Sequence, residues 1–260
     1  MAELIIRRDG TTGWIVFSNP TKHNALTYEM WHGLPEAVAQ LERDSAVRVI
    51  ALRGDGDKSF ISGSDISEFG GMRDSIGATA SYNQAVDSAN AALLNASKPT
   101  LACIQGICIG GGLEIAIHCD LRICSDKAIF SMVAARLGMC YSYASALRLA
   151  EVVGQAYCAE FVFTARRYSA AEALQMRLVN RVVPRAEFDK VVAEYCASVS
   201  ENAPLTIAAT KRTLIEGHKD RADRDIRTVQ TMIDACFGSD DYREGRAAFL
   251  EKRKPVFRGR

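Results

Sequence analysis

Three consecutive glycines, Gly110-Gly111-Gly112, follow the run Ile104-Gln105-Gly106-Ile107-Cys108-Ile109 and open an apolar helix. Glycine lets a backbone turn sharply and lets a ligand approach the main chain closely. The first N–H groups of a helix lack intrahelical partners and sit at its positive dipole end, so this turn suits an oxyanion or a phosphate. Glu114 stands in the first turn of that helix, among Leu113, Ile115, Ala116 and Ile117. A helix dipole alone favours an acidic residue there. A carboxylate set among aliphatic side chains needs partners, however, and perturbed acids concentrate at functional sites. The stretch reads as an anion-stabilising turn beside an acid/base group.

A second loop has similar character: Lys58-Ser59-Phe60-Ile61-Ser62-Gly63-Ser64-Asp65-Ile66-Ser67-Glu68-Phe69. It leaves a strand predicted over residues 47–53 and ends at a helix-like start, and in open α/β sheets ligands gather at such strand ends. Alone, a small-residue loop is an ordinary turn. Paired with residues 110–112, it offers a second backbone donor from a separate turn, which is what an oxyanion hole requires.

The elements that must position these turns follow an α/β pattern. Residues 4–8 and 14–17 read as a hairpin around Asp9-Gly10. Residues 28–44 have helical spacing, 47–53 are β-branched, and 77–96 form a long helix with small residues on one face. Residues 100–104 form a strand entered through Lys98-Pro99, and the helix of Glu114 is followed by short strands at 121–124 and 128–131. Strand and helix in alternation imply a largely parallel sheet covered by helices. From about residue 142 the chain reads as helices at 142–153, 155–164, 170–176, 186–200, 204–217, 221–236 and 242–252, with only 180–183 extended. No internal repeat or low-complexity tract interrupts it.

Composition narrows the class. A chain of 260 residues, 48% hydrophobic and 24% charged, fits one large soluble domain with or without an appendage. A net charge of +1 suggests neither a nucleic-acid partner nor an anionic membrane surface. Eight cysteines without a C-x-x-C pair suit reduced, buried thiols in the cytoplasm. No signal peptide is evident after Met1, and no stretch approaches the roughly 18 apolar residues of a membrane span. His118-Cys119-Asp120 hints at a metal site, but neighbours on one helix point in different directions and no second cluster completes it. There is no Gly-x-Ser-x-Gly elbow and no Gly-x-Gly-x-x-Gly after the first strand, which argues against an α/β-hydrolase and a dinucleotide-binding domain. Residues 221–227 interleave opposite charges, as a solvent-facing helix with internal ion pairs would.

Several ordered stretches resemble the crotonase superfamily, and within it the enoyl-CoA hydratase/isomerase family. They are Asn19-Pro20-Thr21-Lys22-His23-Asn24-Ala25-Leu26, the 60–69 loop, residues 105–114, residues 174–184 and Asp240-Asp241-Tyr242-Arg243-Glu244-Gly245-Arg246 onward to Pro255. The resemblance implies a spiral of ββα turns forming two roughly perpendicular sheets, followed by a helical C-terminal region. It implies a spiral core over residues 1–195 and an oligomerisation region over 196–260, assembling as a homotrimer or a dimer of trimers. The implied ligand is an acyl-CoA thioester, with no metal or redox cofactor.

Position by position, the main-chain N–H groups of Ser64 and Gly111 match the donors that hold the thioester carbonyl, and Glu114 matches one of two catalytic glutamates. Lys58, Ser62, Ser64, Asp65 and Ile66 lie on the segment that wraps CoA, with Gly110 beside it; Lys22 and His23 fall near another part of the same path. Phe249, Lys252 and Lys254 would approach CoA, in some relatives from a neighbouring subunit, while a solvated basic tail is the plainer reading. Two departures stand out. Ser67 occupies a position where a lysine is common, and Ala134 occupies the place of the second glutamate, within Phe130-Ser131-Met132-Val133-Ala134-Ala135-Arg136. Hydration needs one proton taken from water and one delivered to carbon, which two carboxylates do most simply. With Ala134 there, either Glu114 performs both steps, or Tyr141 or Tyr143 assists, or the reaction is isomerisation, decarboxylation or thioester hydrolysis. A chain that only binds acyl-CoA is the remaining alternative. Arg136 is a candidate for a substrate carboxylate, and packing or a surface ion pair is the competing role for it and both tyrosines.

Overall fold

The computed structural model describes residues 2–72 and 75–260. It opens with β1 (Glu3–Asp9) and β2 (Thr12–Ser18), an antiparallel hairpin with Asp9 opposite Thr12 and Gly10 at φ 56° in the turn. Helix α1 (Tyr28–Arg43) starts at Thr27, whose hydroxyl accepts the Met30 N–H, and buries Met30, Trp31, Leu34, Ala37, Val38 and Leu41. That three-and-four spacing is one helical face, and it packs on the hairpin.

A strand–strand–helix unit then recurs three times. The first is β3 (Val49–Gly54), β4 (Ser59–Ile61), a short α2 (Phe69–Met72) and the long α3 (Ile76–Asn95). The second is β5 (Thr100–Ile104), β6 (Ile107–Ile109) and α4 (Gly111–His118). The third is β7 (Leu121–Ser125), β8 (Ile129–Ser131) and α5 (Tyr143–Val153). In each unit the first strand joins one sheet and the second crosses to another. Helix α6 (Gln155–Thr164), β9 (Tyr168–Ser169), α7 (Ala170–Gln175) and β10 (Arg181–Val183) complete the sheets, ordered β1-β2-β3-β5-β7-β10 and β4-β6-β8-β9. The chain ends in α8 (Phe188–Ser200), α9 (Pro204–His218), α10 (Ile226–Gly238) and α11 (Asp240–Glu251). The division expected at residue 195 falls inside α8.

Both faces of the larger sheet are covered, so its central strands are apolar on alternating sides. Ile50, Leu52, Ala102 and Ile104 face the main core, while Val49, Ala51, Leu101 and Cys103 face Phe188, Val191 and Val192 of α8. All eight cysteines are free thiols. Among the described residues no helix is long and apolar enough to cross a membrane.

Two sequence expectations change. The strands β4, β6 and β9 have three, three and two residues, too few for an alternating pattern to register. Residues 221–236 are not one helix: a 3-10 turn at Arg221–Asp223 precedes α10, which Asp225 caps by accepting the Thr228 N–H at 3.0 Å. Arg224 donates to the Gly217 and Lys219 carbonyls at the end of α9, in place of the ion pairs expected across 221–227.

Helix α4 is fastened at its C-terminal end by buried groups. The Arg122 guanidinium donates to the carbonyls of Ala116, Cys119 and Leu178, at 3.2, 2.7 and 2.7 Å, complementing the negative end of the helix. Burial lowers its pKa to about 10. Asp120 accepts from Thr100 and from Lys211 of α9, the latter at 2.8 Å, which ties the C-terminal helices to the same point. His118 is also buried, and its Nδ1–H donates to the Glu114 carbonyl at 2.8 Å. Burial lowers its pKa from 6.5 to about 4. Between those values the unfolded chain binds more protons than the native one, so this contribution is complete above pH 6.5 and lost as pH falls to about 4. The span is worth on the order of 3 kcal/mol. Urea unfolding at pH 7 and at pH 4.5 is expected to show a loss of stability that His118→Gln reduces; an identical slope in the variant would contradict this.

Candidate active site

Each glycine of the triplet has its own reason to be glycine. Gly110 has φ 53° and ψ −118°, which side chains rarely tolerate. A Cβ on Gly111 would lie 2.8 Å from Trp31 Cζ2 and 3.4 Å from the Ser64 nitrogen, and one on Gly112 would lie 2.3 Å from the Ile61 carbonyl oxygen. The turn is thus pressed against α1, β4 and the Ser64 loop at once. Gly110 N–H donates to the Ser131 carbonyl at 2.9 Å, whereas the Gly111 N–H opens α4, where no earlier turn supplies an acceptor.

The Ser64 loop is fixed by a parallel bridge between Leu26 and Ser64. Leu26 N–H donates to the Gly63 carbonyl at 2.8 Å, and Asp65 N–H donates to the Leu26 carbonyl at 2.7 Å. In such a bridge the flanking residues make the bonds, so the N–H of Ser64 itself faces the other way. Two main-chain donors from two turns are thereby brought side by side, an arrangement able to hold one oxyanion.

They open on a cleft of about 100 Å³. Glu114, in the first turn of α4, is 6% exposed and reaches this cleft. Its Oε1 accepts the Ser145 hydroxyl at 2.5 Å and an Asn90 Nδ2–H at 3.3 Å. Ser145 is oriented in turn by Ser142, the N-cap of α5. Across the cleft, Ala134 is buried at the start of a 3-10 turn ending at Gly138, φ 66°. The Tyr141 hydroxyl lies 3.9 Å from where a Cβ on Gly110 would sit. Burial, and then the charge of Glu114, push its pKa up, so the phenol keeps its proton. The cleft therefore combines two backbone N–H groups, a carboxylate bonded to Ser145 and Asn90, and a phenol able to donate.

Of the residues singled out from sequence, Ser62, Ser64, Ile66, Gly110, Gly111, Glu114, Ala134 and Tyr141 line the cleft together. Lys58, Asp65 and Arg136 do not. Arg136 and Lys58 are exposed, and Tyr143 is 82% exposed on α5. Asp65 is buried and braces the loop: Lys22 Nζ donates to it at 2.6 Å and the Ser67 hydroxyl at 2.7 Å. Its burial would raise the carboxyl's pKa, but Lys22 and Ser67 outweigh that and hold it below the ordinary value. Ser67, where a lysine was expected, belongs to this brace through a 2.8 Å bond to Lys22. His23 contacts Ser59 at 3.1 Å. Phe249 lies in an apolar groove of the C-terminal helices, away from the cleft. Among the described residues no group of three or more His, Cys, Asp or Glu could hold a metal ion.

Sequence reading missed Asn83, Asp87 and Asn90 of α3, and Ser145. The signal was present: polar residues at 83, 87 and 90 fall on one stripe of a helix rich in small apolar residues.

A model of the enoyl-CoA hydratase/isomerase family matches residues 8–260. The chain belongs to that family, and its fold is the crotonase fold. It is similar to the short-chain-enoyl-CoA hydratase of Clostridium acetobutylicum, 30% identical over 251 residues, covering 96% of this chain and 95% of that one. It is 31% identical to the peroxisomal Delta(3,5)-Delta(2,4)-dienoyl-CoA isomerase of Arabidopsis thaliana, covering 97% and 95%. The crystal structure of an enoyl-CoA hydratase/carnithine racemase from Magnetospirillum magneticum matches with a TM-score of 0.93 at 31% identity, covering 100% and 97%.

The glycine geometry gives a paired prediction. Gly112→Ala meets backbone at Ile61 and is expected to cost about 2 kcal/mol or more by overpacking. Gly217→Ala, within α9 and with open space around it, is expected to gain up to about 1 kcal/mol. Urea midpoints of both variants check this; an unaffected Gly112→Ala would contradict the packed turn.

Proposed function

We propose that the protein adds water across the double bond of a 2-enoyl-CoA thioester. The observation that carries this is the convergence of the Ser64 and Gly111 N–H groups on a cleft that also holds Glu114. The thioester oxygen accepts both N–H groups, with Ser62 and Ile66 at the cleft wall beside the arriving CoA arm. As the water oxygen bonds to the β-carbon, the π electrons move to that oxygen as an enolate, and a water proton passes to Glu114. The enolate then collapses as Glu114 returns the proton to the α-carbon. Ser145 and Asn90 keep Oε1 occupied and so orient the carboxylate. Oxyanion donors of this kind are typically worth about 10²–10³ in rate, and positioned acid/base groups about 10²–10⁴.

A second reading rests on Ala134. With Tyr141 in place of a carboxylate on that flank, Glu114 alone would move a proton between carbons of an enoyl-CoA, which is isomerisation and needs no bound water. Both readings draw only on protein groups, water and the thioester.

The finer properties follow the same reading. The exposed Phe237, Phe249 and Leu250 beside a groove of about 860 Å³ support assembly into a homotrimer or a dimer of trimers. Free, mostly buried thiols support a reducing cytoplasmic setting.

Loss of thioester conjugation on adding protein to crotonyl-CoA tests hydration, and 3-enoyl-CoA in the same assay tests isomerisation. Glu114→Gln is expected to lower kcat by at least about 100-fold with little change in KM. Turnover within twofold of the parent protein would remove Glu114 from the mechanism.

A further inference from the structure

Helix α3 carries a polar stripe into the cleft. Asn83 and Asp87 line it, one turn apart, and Asn90 lies a further turn along the same face. Asn90 is buried and bonded to Glu114, whereas Asp87 is exposed, so the stripe runs from the cleft mouth to the acid at its base. Asp87 stands roughly 4.5 Å along the helix axis from Asn90, at the helical rise of about 1.5 Å per residue. Among the described residues no hydrogen bond or ion pair engages its carboxylate. An exposed acid on a solvated face needs no partner. This one lines the same cleft as Glu114, Ser64 and Gly111, in which Ala134 offers no polar side chain.

Building on the hydratase reading above, we propose that Asp87 is the second carboxylate of the site and holds the attacking water together with Glu114. The water donates one proton toward Glu114 and the other toward Asp87, which aims its lone pair at the β-carbon. As the carbon–oxygen bond forms, the first proton passes to Glu114 and is returned to the α-carbon. The second stays on oxygen as the product hydroxyl and remains bonded to Asp87. The pair of carboxylates that the resemblance leads one to seek at Glu114 and position 134 is thus drawn from α4 and α3.

The product hydroxyl supplies a readout that does not need turnover. Binding of butyryl-CoA and of each enantiomer of 3-hydroxybutyryl-CoA is measured by calorimetry for the parent protein and for Asp87→Asn and Asp87→Glu. A hydrogen bond to a charged group corresponds to roughly 10-fold to 100-fold in affinity. One hydroxy enantiomer is expected to bind the parent protein at least about tenfold tighter than butyryl-CoA. Asp87→Asn should erase that preference while leaving butyryl-CoA affinity unchanged, and Asp87→Glu should keep part of it. In the crotonyl-CoA assay, Asp87→Asn should lower kcat by about 100-fold with KM nearly constant, the usual scale of a misplaced reactant. A hydroxyl preference that persists in Asp87→Asn, or equal loss of affinity for all three ligands, would overturn the role of Asp87. If the parent protein hydrates no enoyl-CoA, the hydratase reading falls, and the affinity ratio still decides whether Asp87 grips a hydroxyl at the β-carbon.

Discussion

The molecule is organised around the close approach of two backbone turns. The 110–112 turn and the Ser64 loop pack against each other, and among the described residues no hydrogen bond takes up the N–H of Ser64 or of Gly111. An unpaired N–H in a buried setting costs on the order of 1–3 kcal/mol, so the surrounding structure has to hold the arrangement in place. It does so from several sides. Trp31 of α1 and Ile61 of β4 leave no room for a side chain at Gly111 or Gly112, and Leu26 bridges Ser64. At the far end of α4, Arg122 holds the helix carbonyls, and Asp120, just beyond it, meets Lys211 of α9. The alternation of strands between two sheets places β4 and β6 side by side, and this delivers both turns to one edge.

Around that fixed pair the polar groups are unevenly distributed. Glu114 is buried with Ser145 and Asn90 on one side, both donating to its Oε1. The opposite flank carries Ala134, and Tyr141 keeps its proton there because burial and the Glu114 charge both disfavour the phenolate. Glu114 and the two side chains bonded to it thus sit on α4 and on the helices packed against it, α3 and α5. A site built this way depends on rigid elements, since Glu114 and the two side chains that orient it come from three separate helices.

Much of this was legible in the sequence where chemistry and backbone geometry coincide. The glycine triplet announced a sharp turn open to close approach by a ligand, and Glu114 stood out because its neighbours are aliphatic. The alternating elements gave the parallel sheet. Less legible were features that depend on distant parts of the chain. Strands of two or three residues such as β4 and β9 exist only because neighbouring strands pair with them. Local sequence places Asp65 on a ligand segment, but its bond to Lys22, 43 positions away, is a contact that no local pattern shows. The stripe on α3 carried a readable periodicity, but nothing local says that its buried member, Asn90, meets Glu114 of α4. Arg136 stands in the 3-10 turn after Ala134, exposed and not among the residues lining the cleft.

The convergence of two main-chain donors on one thioester oxygen is the central claim, and a crystal structure with a bound acyl-CoA addresses it directly. The account predicts that the thioester oxygen lies about 2.7–3.1 Å from both the Ser64 and the Gly111 nitrogens, with the β-carbon facing Glu114. A thioester oxygen held by only one of these donors, or by neither, would contradict it.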